Sequence, residues 1–191
     1  LSVTLSPRFH RDAAKAEQIE FEQRLQFQCD APWVEHAGQV LLANSARRIN
    51  VKVDPPQLEA GLHYAELTGT DPTHPERGPL VRLPITVVIP EQPEGHTWKS
   101  DLTLKKGEST RRFLTVPDGA TWADLNIKTR SAANPQRLVV HTLQILPGLS
   151  FRSGDERMNL SLTEGQERVE SFAVTGGRTL ELCFAQYWSS L

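Results

Sequence analysis

The chain has 191 residues, with 21 basic and 23 acidic side chains, a formal net charge of −2 and 38% hydrophobic residues. The near-balanced charge argues against a nucleic-acid binder, which normally carries a basic excess or a basic stripe, and no apolar run approaches the roughly 20 residues that span a bilayer. The length suits one large domain or two of about 90 to 100 residues each.

Alternating side chains predict strands in the first half of the chain. Val3-Thr4-Leu5 is a short first strand, and residues 12–16 are a loop or one helical turn. Residues 17–29 place apolar side chains on one phase and Glu, Arg or Gln on the other, which favours a long half-buried strand over a helix. The apolar phase comprises Ile19, Phe21, Leu25, Phe27 and Cys29.

Further short strands follow, and turn signals bound them. They are predicted at residues 33–34, 40–42, 49–53, 62–68 and 80–89. Asp54-Pro55-Pro56 ends the third of these because proline cannot donate to a strand ladder, and Gly69 closes the fourth. Pro84 predicts an edge or bulge position in the last. About seven strands separated by turns predict a sandwich of immunoglobulin or fibronectin type III character.

Residues 90–95, Pro-Glu-Gln-Pro-Glu-Gly, lack large apolar side chains and are the predicted linker between two domains. Strands resume beyond the linker. They are predicted at residues 102–104, 112–116, 122–127, 138–146, 169–174 and 180–184. In the last of these, Leu180, Leu182 and Phe184 share one face. The sequence therefore predicts an all-β chain made of two tandem β-sandwich domains.

Several short motifs occur from the first sandwich to the last residue. They are Val53-Asp54-Pro55, Gly61-Leu62-His63-Tyr64, Gly78-Pro79-Leu80, Leu83-Pro84-Ile85-Thr86, Val116-Pro117, Gly119-Ala120-Thr121-Trp122-Ala123, and Trp188 with Ser190-Leu191. In this order they resemble the region that follows the subtilisin-type catalytic domain in the tripeptidyl-peptidase II family. The resemblance implies an immunoglobulin-like domain over residues 1–92 and a galactose-binding-like jelly roll over residues 93–191. Because Leu1 is not preceded by an initiator methionine, we expect a piece of a larger protein.

The resemblance also implies a function. The parent would be a serine peptidase that releases tripeptides from the free N-termini of peptides in the cytoplasm and forms a large homo-oligomer. The two domains would be non-catalytic, with their own protease domain and neighbouring subunits as partners, and with neither nucleic acid nor membrane as a partner. The alternative is a carbohydrate- or surface-binding accessory module of a secreted subtilisin-like protease. Cys29 and Cys183, expected to be unpaired in separate domains, favour a reducing compartment.

No catalytic residue, cofactor or metal is expected in the chain, so enzymatic activity would belong to the parent. The D-S/T-G, H-G-T-H and G-T-S-M-A contexts of subtilisin-type enzymes do not occur. The nearest match, Asp118-Gly119-Ala120, is predicted to be part of a tight turn that begins at Pro117. Cys29 is on the apolar phase of its strand, where a cysteine acts as a small hydrophobe rather than a nucleophile.

Two acidic segments could bind a metal ion but are expected to be solvated. Asp71, His74 and Glu76 share one loop, yet a fourth ligand is missing for zinc. Asp155 and Glu156 follow a glycine, where an acidic turn is the simpler interpretation. Neither segment is therefore predicted to be a metal site.

Exposed aromatic and basic side chains are the remaining candidates for binding. Lys105-Lys106 and Arg111-Arg112 flank a glycine and predict a solvated hairpin. The aromatic residues considered for ligand stacking are Trp98, Trp122, Tyr187 and Trp188. Trp122 is expected to be buried at one end of the second sandwich. Phe184, Tyr187 and Trp188 are expected to form a protein–protein surface.

Overall fold

A computed structural model describes residues 1–130 and 136–187 of the chain. Within these residues there are thirteen strands, one α-helix and three 3₁₀ helices. The chain divides into two compact units, Leu1–Val87 and Val88–Leu191. Each unit has two sheets and a core of its own. The prediction of an all-β chain with two tandem β-sandwiches is confirmed.

The first unit packs a three-stranded sheet and a four-stranded sheet around one core. Its elements are β1 (Ser2–Leu5), α1 (Lys15–Ile19), β2 (Glu22–Gln28), β3 (Val34–His36), β4 (Gln39–Ala43), β5 (Arg47–Val53), β6 (Gly61–Thr70) and β7 (Pro79–Ile89), with 3₁₀ helices at Pro55–Gln57 and Pro75–Arg77. The strand orders are β1-β5-β3 and β4-β2-β6-β7. Alternate side chains of both sheets meet in the core, among them Leu25, Phe27, Val51, Leu67 and Ile85.

The prediction of one strand over residues 17–29 is wrong at its beginning. Residues 15–19 form α1, whose amide hydrogen bonds run from Gln18 to Ala14 (3.1 Å) and from Glu20 to Ala16 (3.0 Å). Ile19 is exposed, so it takes no part in the core. Ala, Glu, Gln and Lys are strong helix formers, and a helix this short leaves no periodicity to detect.

In the described residues, no helix is both long and apolar enough to cross a membrane.

The second unit packs a four-stranded sheet against a two-stranded one. Its elements are β8 (Ser109–Thr115), β9 (Trp122–Lys128), β10 (Gln136–Leu143), β11 (Asp155–Leu162), β12 (Glu167–Ala173) and β13 (Thr179–Gln186), with a 3₁₀ helix at Phe151–Gly154. The strand orders are β11-β10-β13-β8 and β12-β9. The core holds Val140, Leu162, Phe172 and Leu182, with Leu125 packed against it.

In this unit one predicted strand is absent and one observed strand is not predicted. Residues 102–104 are not a strand, although Leu102 and Leu104 both pack against the core. Their alternation predicts which side chains point inward, but it does not determine whether the backbone joins a ladder. Conversely, β11 was not predicted, because its first three residues are charged and only Leu160 and Leu162 are fully buried.

The predicted linker at residues 90–95 is partly paired with the second unit. The amide of Glu91 donates to the carbonyl oxygen of Phe113 at 2.7 Å, and the amide of Thr115 donates to the carbonyl oxygen of Glu91 at 2.9 Å. The indole N–H of Trp98 donates to the Glu91 carboxylate at 2.7 Å. Glu91 therefore forms a parallel bridge beside β8 instead of belonging to an open connection.

Gly69 lies inside β6, not at its end, and the reason is a close approach. It is directly opposite Phe27 in the β2–β6 pair. A Cβ atom at this position would be 2.9 Å from Cε1 of Phe27 and 3.3 Å from Cβ of Val81. The Phe27 ring therefore occupies space that only glycine leaves open.

Replacing Gly69 with alanine is expected to destabilise the first unit by about 1–3 kcal/mol, because the added methyl group overpacks the site beside Phe27. The measurement is hydrogen–deuterium exchange of the β2 and β6 amides, from which the opening free energy is obtained. Gly38→Ala is the matched control, since a Cβ there meets nothing within 4 Å. Equal opening free energies in the two variants would contradict the packing argument.

Candidate functional site

The acidic loop after β6 is ordered by its own side chains. Asp71 is buried, which corrects the prediction that it is solvated. Its Oδ1 accepts the Thr73 hydroxyl at 2.6 Å and the Thr73 amide at 2.9 Å. These two bonds lower the pKa of the Asp71 carboxyl to about 2. His74 lies with Nδ1 3.2 Å from Oε1 of Glu76 on the exposed side of the loop.

The second acidic segment forms the beginning of β11. Oδ1 of Asp155 lies 3.2 Å from Nδ1 of His141 on the neighbouring strand β10, and both side chains are partly exposed. Glu156 is exposed beside it. Within residues 1–130 and 136–187, no three His, Cys, Asp or Glu side chains are grouped so that they could hold a metal ion.

The residues considered for a nucleophilic site lie in a turn, just after a strand or within a strand, in surroundings that do not favour nucleophilic chemistry. Asp118 and Gly119 form a turn in which the Ala120 amide donates to the Pro117 carbonyl oxygen at 3.2 Å. Cys29 is a half-buried free thiol packed against the first core. Cys183, also a free thiol, lies on β13, and burial is the main cause that raises its pKa. A raised thiol pKa opposes the thiolate form that nucleophilic attack requires.

Two basic side chains of the segment around Gly107, Arg111 and Lys105, contact acidic partners. Nε of Arg111 donates to the Glu181 carboxylate at 2.6 Å across the β8–β13 pair, and its guanidinium lies 5.4 Å from the centre of the Phe113 ring. Lys105 and Glu108 form an exposed ion pair at 3.6 Å. The predicted hairpin is not formed, because a turn at Lys105–Glu108 leads into β8 with no strand directly before it in the described residues.

The aromatic candidates occupy three different environments. Trp98 is half-buried against the second core. Trp122 is 61% exposed, so the prediction that it is buried is wrong: it lies on the outer face of β9, whereas Ala123, Leu125 and Ile127 point into the core. Phe184 is a buried core residue, which removes it from the expected protein–protein surface.

Only part of the predicted surface near the last strand can be located. The Tyr187 side chain is half-buried, and its amide donates to the Arg137 carbonyl oxygen at 2.9 Å. The prediction for Trp188 falls outside the described residues. The chain after β13 therefore continues along β10 as far as Tyr187, without a demonstrated aromatic cluster.

The clearest exposed apolar surface is a loop that sequence reasoning missed. It joins β10 to β11 and carries Ile145, Leu149 and Phe151, which are 74%, 58% and 59% exposed. We call the segment between β10 and β11 that carries these three side chains the apolar loop. The prediction had extended the preceding strand to residue 146. Pro147-Gly148, within a run from Gln144 to Phe151 that contains no charged residue, was the signal for an apolar loop.

The base of the apolar loop is fixed by a buried amide. The Gln144 side chain is 6% exposed. Its Oε1 accepts the Thr175 amide at 2.7 Å, and its Nε2 donates to the Thr175 carbonyl oxygen at 3.1 Å. The backbone N–H of Gln144 donates to the Gly154 carbonyl oxygen at 3.1 Å, and this bond closes the loop. A Cβ at Gly154 would clash with the Gln144 carbonyl oxygen, so glycine permits this closure.

Comparisons with known proteins give one family. Residues 1–88 match the family model described as "Tripeptidyl-peptidase II, first Ig-like domain", and residues 104–191 match "TPPII, galactose-binding domain-like". Tripeptidyl-peptidase 2 of Oryza sativa subsp. japonica is 37% identical over 99% of this chain, and that of Arabidopsis thaliana is 34% identical over 99%. Each alignment covers 14% of the relative, so this chain spans about one seventh of their length.

A solved structure agrees with these matches. The structure entitled "Crystal Structure of Tripeptidyl Peptidase 2 (TPP II)" superposes with a TM-score of 0.89 and 30% sequence identity. The superposition covers 98% of this chain and 17% of that chain. The similarity thus extends over both units described above.

The low pKa of Asp71 makes a testable contribution to acid stability. Because its pKa is lowered on folding, ionised Asp71 stabilises the chain above about pH 4, and this stabilisation is lost as the pH falls towards about 2. The melting temperature of Asp71→Asn should therefore be lower than that of the wild type at pH 6, and the difference should shrink at pH 2. A difference of the same size at both pH values would contradict this assignment.

Gln144→Ala is expected to destabilise the second unit by about 1–3 kcal/mol, because it leaves the Thr175 amide and carbonyl without their partner. Differential scanning calorimetry measures the change. Gln166→Ala is the matched control: its side chain also accepts a backbone amide, from Thr163 at 3.0 Å, but in an exposed position. The control should change stability by no more than about 0.5 kcal/mol, and equal losses in both variants would refute the role of burial.

Proposed function

Because the chain belongs to the tripeptidyl-peptidase II family, as its non-catalytic immunoglobulin-like and galactose-binding-like region, we propose that it is a structural and assembly module of a serine peptidase. The observation that carries the proposal is the match of both family models, in order, on a chain whose two units are separately cored sandwiches. A function for such a module must come from its surfaces, since the chain lacks the sequence contexts of a subtilisin-type active site.

The parent enzyme would release tripeptides from the free N-termini of peptides. The name of the relatives, tripeptidyl-peptidase 2, supports this activity for a longer chain that includes this region. The chain spans one seventh of such a protein, so the chemistry would be supplied by residues outside it. The rival proposal, a carbohydrate- or surface-binding accessory module of a secreted subtilisin-like protease, is not favoured by these matches.

The partners would be the parent's own protease domain and neighbouring subunits of a homo-oligomer, in the cytoplasm. Two features support protein partners. The net charge of −2 gives no general attraction to nucleic acid or anionic lipid, and the apolar loop offers uncharged contact area. Cys29 and Cys183 remain unpaired thiols, which suits a reducing compartment.

The isolated chain is expected to be catalytically silent. It should neither hydrolyse a chromogenic tripeptide substrate with a free N-terminus nor react with a fluorophosphonate, because no serine lies in a subtilisin-type nucleophile context. The full-length peptidase that contains this sequence serves as the positive control and should do both. It should reject the same substrate when the N-terminus is acetylated. Stoichiometric labelling of a serine in the isolated chain would refute the non-catalytic assignment.

Removing residues 1–191 from the full-length peptidase tests the structural role. We expect a smaller assembly in size-exclusion chromatography and a value of kcat/KM lowered by at least about tenfold, since the protease domain would lose its bracing surface. An unchanged size together with an unchanged rate would contradict the proposal.

A further inference from the structure

We propose that the apolar loop, Ile145, Leu149 and Phe151, docks against another part of the same peptidase chain. The inference deepens the proposed function and rests on it, because it requires a longer chain. It assigns the contact to one short segment of the second unit, between β10 and β11, and it identifies the partner as an apolar protein surface.

The exposure of these side chains is the first reason. All three are more than half exposed, while comparable residues such as Leu160 and Leu162 on the next strand are buried. Removing apolar area from water is favourable in proportion to the area. No charged residue lies between Gln144 and Phe151, so burying this segment would not desolvate a charge.

The second reason is that the loop is held in one geometry before any partner arrives. At the base of the loop, the side-chain amide of Gln144 pairs with the backbone of Thr175. The loop also contains two internal turns. In these, the Leu149 amide donates to Leu146 at 3.2 Å and the Ser153 amide donates to Ser150 at 3.0 Å. A pre-ordered loop loses little conformational entropy on docking, which favours binding.

Trp122 adds an exposed aromatic ring at the same end of the unit. The Val174 amide donates to the Thr121 carbonyl oxygen at 3.0 Å, and Thr175 pairs with Gln144. These bonds bring the start of β9 and the base of the apolar loop to the same connection between β12 and β13. Trp122 therefore lies at the same end of the second unit as the apolar loop.

Charge argues for a protein partner over a membrane. Membrane-binding loops gain affinity from basic side chains beside their apolar tip. Here the next charged residues are Arg152, Asp155, Glu156 and Arg157, which balance one another. An anionic bilayer would therefore add no electrostatic attraction to the apolar contact.

The size of the surface argues for the same chain over a second copy. A stable interface between separate proteins buries about 800 Å² per partner and involves about 20–30 residues a side. Three loop side chains, even with Trp122, fall well short of that. A small contact becomes effective when a covalent connection raises the local concentration of the partner. The family provides such a connection, since six sevenths of the relatives lie outside the matched region.

Hydroxyl-radical footprinting of the full-length peptidase and of the 191-residue chain tests the proposal. We expect Leu149 and Phe151 to be oxidised at least about tenfold more slowly in the peptidase. A second test uses Leu149→Ser/Phe151→Ser, which should lower the thermal-inactivation midpoint of the peptidase without changing the melting of the isolated chain. Tyr64→Ser, which removes a similarly exposed aromatic from the first unit, is the control for the isolated chain.

Equal oxidation rates in the two proteins would overturn the proposal. The proposal would also be overturned if Leu149 and Phe151 of the isolated chain were oxidised more slowly at higher protein concentration, because a second copy of the chain would then cover the loop. Protection that requires vesicles containing phosphatidylserine would also overturn it, in favour of a membrane. Hydrolysis of the free tripeptide substrate, measured in the same peptidase sample, reports on the proposed function separately, so failure of one does not imply failure of the other.

Discussion

A strand can bury only one of its two faces in a two-layer sandwich, and the rest of this structure depends on that constraint. In the second unit, Val140 and Leu182 point into the core while their neighbours His141 and Cys183 point away from it. Every strand therefore produces an outward face that must be polar, locally paired or covered by something else. On the outer face of the four-stranded sheet, polar side chains pair locally, as Arg111 does with Glu181 and His141 with Asp155. The apolar loop lies outside this arrangement, because its side chains belong to a connection and not to a strand face.

The same constraint explains how much of the fold could be predicted from the sequence. Where a strand has one buried face, as with Leu180, Leu182 and Phe184 in β13, alternation identifies it and all three residues are buried. The signal fails where alternation has another cause. Ile19 has the same odd-numbered phase as the buried residues of β2, although it belongs to a five-residue helix. Leu102 and Leu104 alternate in a segment that is not a strand. It also fails where charged residues occupy both phases of a strand, as at the first three positions of β11.

The candidate site was less predictable, because its geometry depends on residues far apart in the chain. Gln144 and Thr175 are separated by 31 positions, and nothing in either neighbourhood indicates that they pair. Trp122 shows the limit of composition-based reasoning. A tryptophan at the start of a strand suggests burial, but Ala123 at the next position sets the inward phase and turns Trp122 outward. The sequence predicts a solvated loop around Asp71, yet the Thr73 hydroxyl two residues later donates to the Asp71 carboxylate and orders the loop.

Separate sets of residues hold the second unit together and expose apolar area. The core of the second unit contains none of the apolar loop side chains, so the loop can change without disturbing the sandwich. The loop is nevertheless not independent of the fold. Gln144 adjoins β10, its amide group binds the connection between β12 and β13, and both are fixed by core residues such as Val140 and Phe172. A buried polar pair of this kind fixes position more than it adds stability, because both of its members would be hydrated in the unfolded chain. The sandwich thereby sets where the apolar side chains are presented, and the side chains themselves determine what they contact.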